Sequence, residues 1–155
     1  MPKDDAAAAA LEALLLGDPS ERASLLRGEH ADPHRYLGPH RSGGSAGSAA
    51  PGEGLVVRAW QPEALSASLV LEDGEHPMRE LAEGLFAVFL PGAAAELPPS
   101  YRLRFGFEEG GEWLRDDPYR FPCSLDEEAL YFISEGTHRR LWEALGAHPE
   151  TLDER

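Results

Sequence analysis

Three histidines, His30, His34 and His40, fall within eleven residues. His30 and His34 have the i, i+4 spacing that would present two imidazoles to a metal from one helix face. Pro33 interrupts that helix, and neither H-E-x-x-H nor a nearby cysteine completes a ligand set. A structural or surface role is the simpler reading, and no cofactor or metal is expected. Three carboxylate pairs could do acid–base work: Glu108-Glu109, Asp116-Asp117 and Glu127-Glu128. Such work needs two carboxylates facing each other across a cleft. Asp116-Asp117-Pro118 reads as a turn instead, and Glu127-Glu128 as favourable charge at a helix N-terminus. No G-x-S-x-G, Walker-type or dinucleotide glycine motif is present, so nothing cradles a phosphate and no catalytic residue is assigned.

The remaining candidates are aromatic. An exposed Trp ring can stack on a flat C–H face such as that of a sugar. Trp60 alternates with Arg58 on one strand face, which points it outward. Trp113 follows the Gly110-Gly111 turn, near the surface. The alternative puts both in the core, where large aromatics usually end up. Tyr131 and Trp142 flank a helical stretch and pack onto the same domain or onto a partner domain.

Four stretches must position these residues. Residues 4–28 read as helix, with Asp18-Pro19-Ser20-Glu21 supplying an N-cap, Pro at the first position and a Glu three residues after the cap. Gly28 is the stop. Asp32-Pro33 begins one more short turn, ended by Gly38. Residues 41–54, RSGGSAGSAAPGEG, form a loop. From Leu55 to Arg115 the period becomes two: Leu55–Trp60, Ser66–Leu71, His76–Leu81, Leu85–Leu90, Tyr101–Phe107 and Glu112–Arg115 are six short strands. Asp73-Gly74 marks a tight hairpin. Pro77 puts its strand at a sheet edge. Tyr101, Leu103, Phe105 and Phe107 point inward. Helical period returns at 124–146. Ser124 and Glu127 form a capping box, and Leu125, Ala129, Phe132 and Ile133 make one apolar stripe. Gly136 breaks it. Thr137 caps a second helix that carries His138, Leu141, Trp142 and Leu145 on one face.

The chain has 155 residues, with 14 Lys plus Arg against 28 Asp plus Glu, a formal charge of −14. That is too short for a (β/α)₈ barrel, and too acidic for a phosphate backbone or an anionic membrane surface. No nucleic acid or membrane partner is expected. The start lacks the basic-then-apolar order of an export signal. Cys123 is the single cysteine, which suits a cytoplasmic protein without disulfides.

In order along the chain stand Leu25-Leu26-Arg27-Gly28-Glu29-His30-Ala31-Asp32-Pro33-His34 and Leu37-Gly38-Pro39-His40. Val56-Val57-Arg58-Ala59-Trp60-Gln61-Pro62, Gly84-Leu85-Phe86-Ala87-Val88 and Asp117-Pro118-Tyr119-Arg120-Phe121 follow. The last and longest motif runs from Glu135-Gly136-Thr137-His138 through Leu141-Trp142-Glu143 to Ala147-His148-Pro149. Over residues 25–149 this resembles the N-terminal region of bacterial glycogen branching enzymes, of glycoside hydrolase family 13. The loop at 42–53 looks like an insertion relative to that family.

The resemblance implies a mostly β fold: an immunoglobulin-like antiparallel β-sandwich with helices before it and a helical connector after it. It implies a helical segment at 1–28, a sandwich at 29–121 and a connector at 122–155, leading toward a second sandwich. The family's catalytic carboxylates lie in a barrel whose motifs do not occur here, so the chain is expected to be inactive alone. The parent reaction moves an α-1,4-glucan segment onto a 6-hydroxyl. The N-terminal region is expected to help position glucan and tune the length transferred, with Trp60 and Trp113 as candidate contacts. Its partners would be α-1,4-glucan or glycogen and the remaining domains of the parent enzyme. The alternative is an interdomain docking module with no sugar contact. A charge of −14 suits a neutral polymer.

Overall fold

A computed structural model describes residues 2–42, 52–92, 101–121 and 125–146. The chain divides into two compact units, Met1–Phe121 and Pro122–Arg155. The first unit begins with helices α1 (Pro2–Leu16) and α2 (Pro19–Leu26). Strands β1 (Gly38–Ser42), β2 (Gly54–Trp60), β3 (Ser66–Leu71), β4 (Gly74–Ala82), β5 (Leu85–Pro91), β6 (Arg102–Gly106) and β7 (Glu112–Asp116) follow. Their order across the sheet is β1-β2-β5-β4-β3-β6-β7, and every pairing among the described strands is antiparallel. The fold is mostly β and sandwich-like, as the six-strand pattern implies. The seventh strand, β1, was hidden in Gly-Pro-His-Arg-Ser, which carries no β-former. Gly38 does not end the preceding turn; it opens this strand.

Strand β4 makes the sandwich corner. Gly74–Met78 pairs with β3, Arg79–Ala82 pairs with β5, and the register shifts between Glu80 and Ala82. A bulged strand that changes neighbours halfway turns one sheet into two facing layers. Pro77 therefore lies in an interior strand, not at a sheet edge. It is tolerated because its half of β4 pairs only with β3, leaving one side without a ladder to break.

Between the layers lie Val57, Ala59, Leu69, Met78, Phe86, Leu90, Tyr101, Leu103 and Phe105. Phe107 is only partly buried against them. The outer face of β2 and β5 is also covered. Leu15 of α1 packs on Val56 and Ala87, and Leu25 of α2 joins Tyr36, Leu37 and Leu85. Burial on both faces explains why β2 and β5 read as continuous apolar runs.

Arg58 interrupts that run and is buried beneath the helices, so its face is not an outward one. Its Nε and Nη2 donate to the carbonyls of Leu15 and Leu14 at 2.8 and 2.7 Å. The Tyr36 hydroxyl donates to Leu16 O at 2.7 Å. These are the terminal carbonyls that a helix cannot satisfy itself, so a buried cation from the sheet caps α1 and docks it.

Asp18 caps α2 as expected, accepting from the amides of Ser20 and Glu21 at 2.8 and 3.0 Å. Glu21 does not reach back to the cap. It is drawn instead to His30 at 2.8 Å and Arg35 at 3.2 Å. At the far end Gly28 N bonds Leu25 O, and Glu29 N bonds Ser24 O.

The second unit holds α3 (Glu127–Ser134) and α4 (Trp142–Leu145). Asp126 caps α3 by accepting from Ala129 N at 2.7 Å. The expected capping box does not form, because Glu127 is the first residue of α3 and Asp126, not Ser124, is its cap. Cys123, most of the loop at 41–54 and the chain end after Gly146 lie outside the described residues. Gly136 does end α3. Thr137 does not cap the next helix: its amide bonds back to Phe132 O at 2.9 Å, and α4 begins only at Trp142.

Candidate functional site

Two pairs of family motifs meet through glycines. A Cβ on Gly38 would lie 2.6 Å from the carbonyl oxygen of Tyr119, and its φ is +82°. Only glycine accepts both conditions, so Leu37-Gly38-Pro39-His40 and Asp117-Pro118-Tyr119 come together backbone to backbone. Likewise a Cβ on Gly84 would lie 2.5 Å from Gln61 O. Gln61 N donates to Gly84 O at 2.8 Å, which locks Trp60-Gln61-Pro62 against Gly84-Leu85-Phe86.

Asp117 ties the end of this unit to its core. It is 1 % exposed. Its carboxylate accepts from the Tyr101 hydroxyl at 2.6 Å and from Tyr119 N at 2.9 Å, and it caps the 3₁₀ turn Pro118–Arg120. Burial pushes the carboxyl above the usual carboxylate range, against the opposing pull of these bonds and of Arg120. Burial and the facing carboxylate also push the Tyr101 hydroxyl up, so it stays protonated and donates. Arg120 clamps the same place, donating to Tyr101 O at 2.6 Å and pairing with Asp116 at 3.2 Å. The Asp116-Asp117 pair thus divides into one exposed ion-pair partner and one buried strut.

The histidines do not converge. His30 pairs with Glu21, His34 sits edge-on to Tyr119 with ring centroids 5.0 Å apart, and His40 donates to Leu37 O at 2.9 Å. Burial lowers the pKa of His40. Among the described residues no group of three or more His, Cys, Asp or Glu could hold a metal.

Trp60 and Trp113 stand on different faces. Trp60 shares the helix-covered face of Val56 and Arg58 and is half-buried against the Leu25 cluster. Trp113 is paired with Phe105, so it continues the core-side face onto the outermost strand β7, where it is 49 % exposed. Its ring lies 4.6 Å from that of Phe107, and the Arg115 guanidinium sits 4.9 Å from its centroid. They do not form one two-ring platform.

A cavity of about 410 Å³ opens at the seam where the end of β2 faces β6 and β7. Its floor is core: Ala59, Leu103 and Phe105. Its rim is polar: Gln61, Arg115 and Asp116, with Trp60 alongside. Arg115 Nη1 reaches across the seam to Gln61 Oε1 at 3.4 Å. Gln61 and Arg115 went unread in the sequence, although Gln61 follows Trp60 and Arg115 stands two residues beyond Trp113 on the same strand face.

In the second unit, Tyr131, Trp142 and Leu145 are 61, 66 and 57 % exposed. Phe132 and His138 pack edge to face, 6.4 Å apart. Among the described residues no helix is long and apolar enough to cross a membrane.

The family model "alpha-1,4-glucan branching enzyme GlgB, N-terminal domain" matches residues 18–119. The chain is similar to the 1,4-alpha-glucan branching enzyme GlgB of Rhodopseudomonas palustris, at 44 % identity over 139 residues. That match covers 87 % of this chain and 17 % of the relative. The enzymes of the same name from Mycobacterium ulcerans and Paramagnetospirillum magneticum are 37 and 40 % identical, over 89 and 92 % of this chain. In both, again, the chain spans only 17 % of the relative's length. With most of its length matched by that model, the chain belongs to the family of alpha-1,4-glucan branching enzyme GlgB N-terminal domains.

Proposed function

We propose that this chain is the non-catalytic N-terminal domain of a cytoplasmic glycogen branching enzyme, holding α-1,4-glucan and thereby tuning the length of segment moved onto a 6-hydroxyl. The observation that carries this is Trp113, half exposed on the outermost strand and held in place by Phe107 and Arg115. A half-exposed aromatic ring packed against its neighbours can stack on the C–H face of a glucosyl residue at little cost in rotamer freedom. Trp60, half-buried, is the lesser contact. A formal charge of −14 does not oppose a neutral polymer.

Affinity electrophoresis in a glycogen-containing gel tests this. The chain is expected to be retarded, with Trp113→Ala restoring most of its mobility and Trp60→Ala a smaller part. Equal mobility of the wild type with and without glycogen would overturn the reading.

A second reading, an interdomain docking module without sugar contact, is favoured by the exposed Tyr131, Trp142 and Leu145 of the second unit. Exposed large apolar side chains of this kind suit an interaction surface. Under it the glycogen gel would show no retardation. The division of the chain at Phe121 supports taking 122–155 as a connector toward another domain.

A further inference from the structure

We infer that the seam cavity between β2 and β7 is a subsite for one glucosyl unit of an α-glucan, its hydroxyls bonded by Gln61 and Arg115. This rests on the glucan reading above and adds to it a place and a set of polar contacts.

The cavity has the makeup of a small-molecule site: about 410 Å³, an apolar floor and a few convergent polar groups. A pyranose has the matching makeup, with C–H faces and a hydroxylated edge. Ala59, Leu103 and Phe105 offer the faces an apolar floor. At the rim, Gln61 supplies both a donor and an acceptor, and Arg115 donates. Hydroxyls, each donor and acceptor at once, can satisfy both.

Charge narrows the class further. Arg115 would by itself suit a phosphate or a carboxylate. Asp116 shares the rim and Asp117 lies in the wall behind it, so an anion would meet two carboxyl groups on entry. A neutral polyhydroxyl ligand meets no such repulsion. Arg115 also joins the cavity to Trp113, since its guanidinium lies over that ring at 4.9 Å. A glucan stacked on Trp113 therefore has a neighbouring unit within reach of the cavity rim. The 3.4 Å contact between Arg115 and Gln61 is long for a hydrogen bond, so exchanging it for a sugar hydroxyl costs little.

The test is calorimetric titration of the 155-residue chain with maltoheptaose. Gln61→Leu and Arg115→Met should each weaken binding about tenfold, the loss of one or two hydrogen bonds to the ligand. Both side chains sit at the rim, so thermal unfolding should be unchanged. Gln61→Leu is decisive, because Gln61 is not stacked on the Trp113 ring as Arg115 is. If maltoheptaose binds, and Trp113→Ala weakens it while Gln61→Leu and Arg115→Met do not, the subsite is wrong and the aromatic contact stands. If neither maltoheptaose nor glycogen binds the wild type, the glucan reading falls and takes the subsite with it. If inorganic phosphate binds and Arg115→Met abolishes it while maltoheptaose does not bind, the cavity is an anion site and the inference is overturned.

Discussion

Asp117 lies inside the residues matched by the family model and Trp142 beyond them, and they live in opposite surroundings. Asp117, in the first unit, is 1 % exposed and saturated with partners. Trp142, in the second, is 66 % exposed, and no described residue of that unit is buried. The first unit uses its motif residues to close itself: glycines where backbones touch, a buried carboxylate where the last turn meets the core, a buried arginine on the end of α1. The second unit satisfies its local needs with caps and turns but leaves its aromatics facing outward. A motif can thus serve to close a domain, or leave its side chains on an open surface.

The comparison breaks most easily at Asp117. Asp117→Ala leaves the Tyr101 hydroxyl and Tyr119 N without their acceptor in a buried place, so urea unfolding should show a loss of about 3 kcal/mol. The same carboxyl has a pH signature. Its folded pKa is raised above the ordinary 3.8, so the folded chain holds that proton more tightly than the unfolded chain. Its contribution is full below about pH 4 and is lost as pH rises through the folded value. The stability of the wild type relative to Asp117→Asn should therefore fall as pH is raised from about 4. A difference that grows with pH would contradict the burial described here.

Gly38→Ala should come next. It places a Cβ against Tyr119 O and forces a positive φ on alanine, and about 2 kcal/mol should be lost by the same measurement. Leu114→Ala, on an exposed strand position, is the control and should cost far less. The smallest effect belongs to the second unit. Trp142→Ala should change unfolding by less than about 0.5 kcal/mol, because little is desolvated there. A large loss would mean that the exposed face already carries packing energy and would erase the contrast.

Much of the strand pattern was legible. Ser66–Leu71 declares itself by period and Leu85–Leu90 by its short apolar run, with Asp-Gly and Glu-Gly turns beside them, and Tyr101, Leu103 and Phe105 point inward as alternation demands. β1 was not legible, because Gly38–Ser42 is a strand only through its pairing with β2. Arg58 misled for a related reason. Alternation assigns it a face but cannot say that α1 covers that face. Of the candidate site, the two tryptophans stood out by type, whereas Gln61 and Arg115 acquire meaning only when β2 and β7 are brought to one seam.

What the residues determine alone is local: period, caps such as Asp18 and stops such as Gly28 and Gly136, because these rest on bonds between near neighbours. What only the tertiary structure decides is long-range: β4 turning the corner between two layers, Arg58 capping a helix more than forty residues away in sequence, and Trp60 and Trp113 parting onto different faces. Those outcomes depend on which surfaces meet, and a one-dimensional pattern holds the periodicity of a face but not the identity of what lies against it.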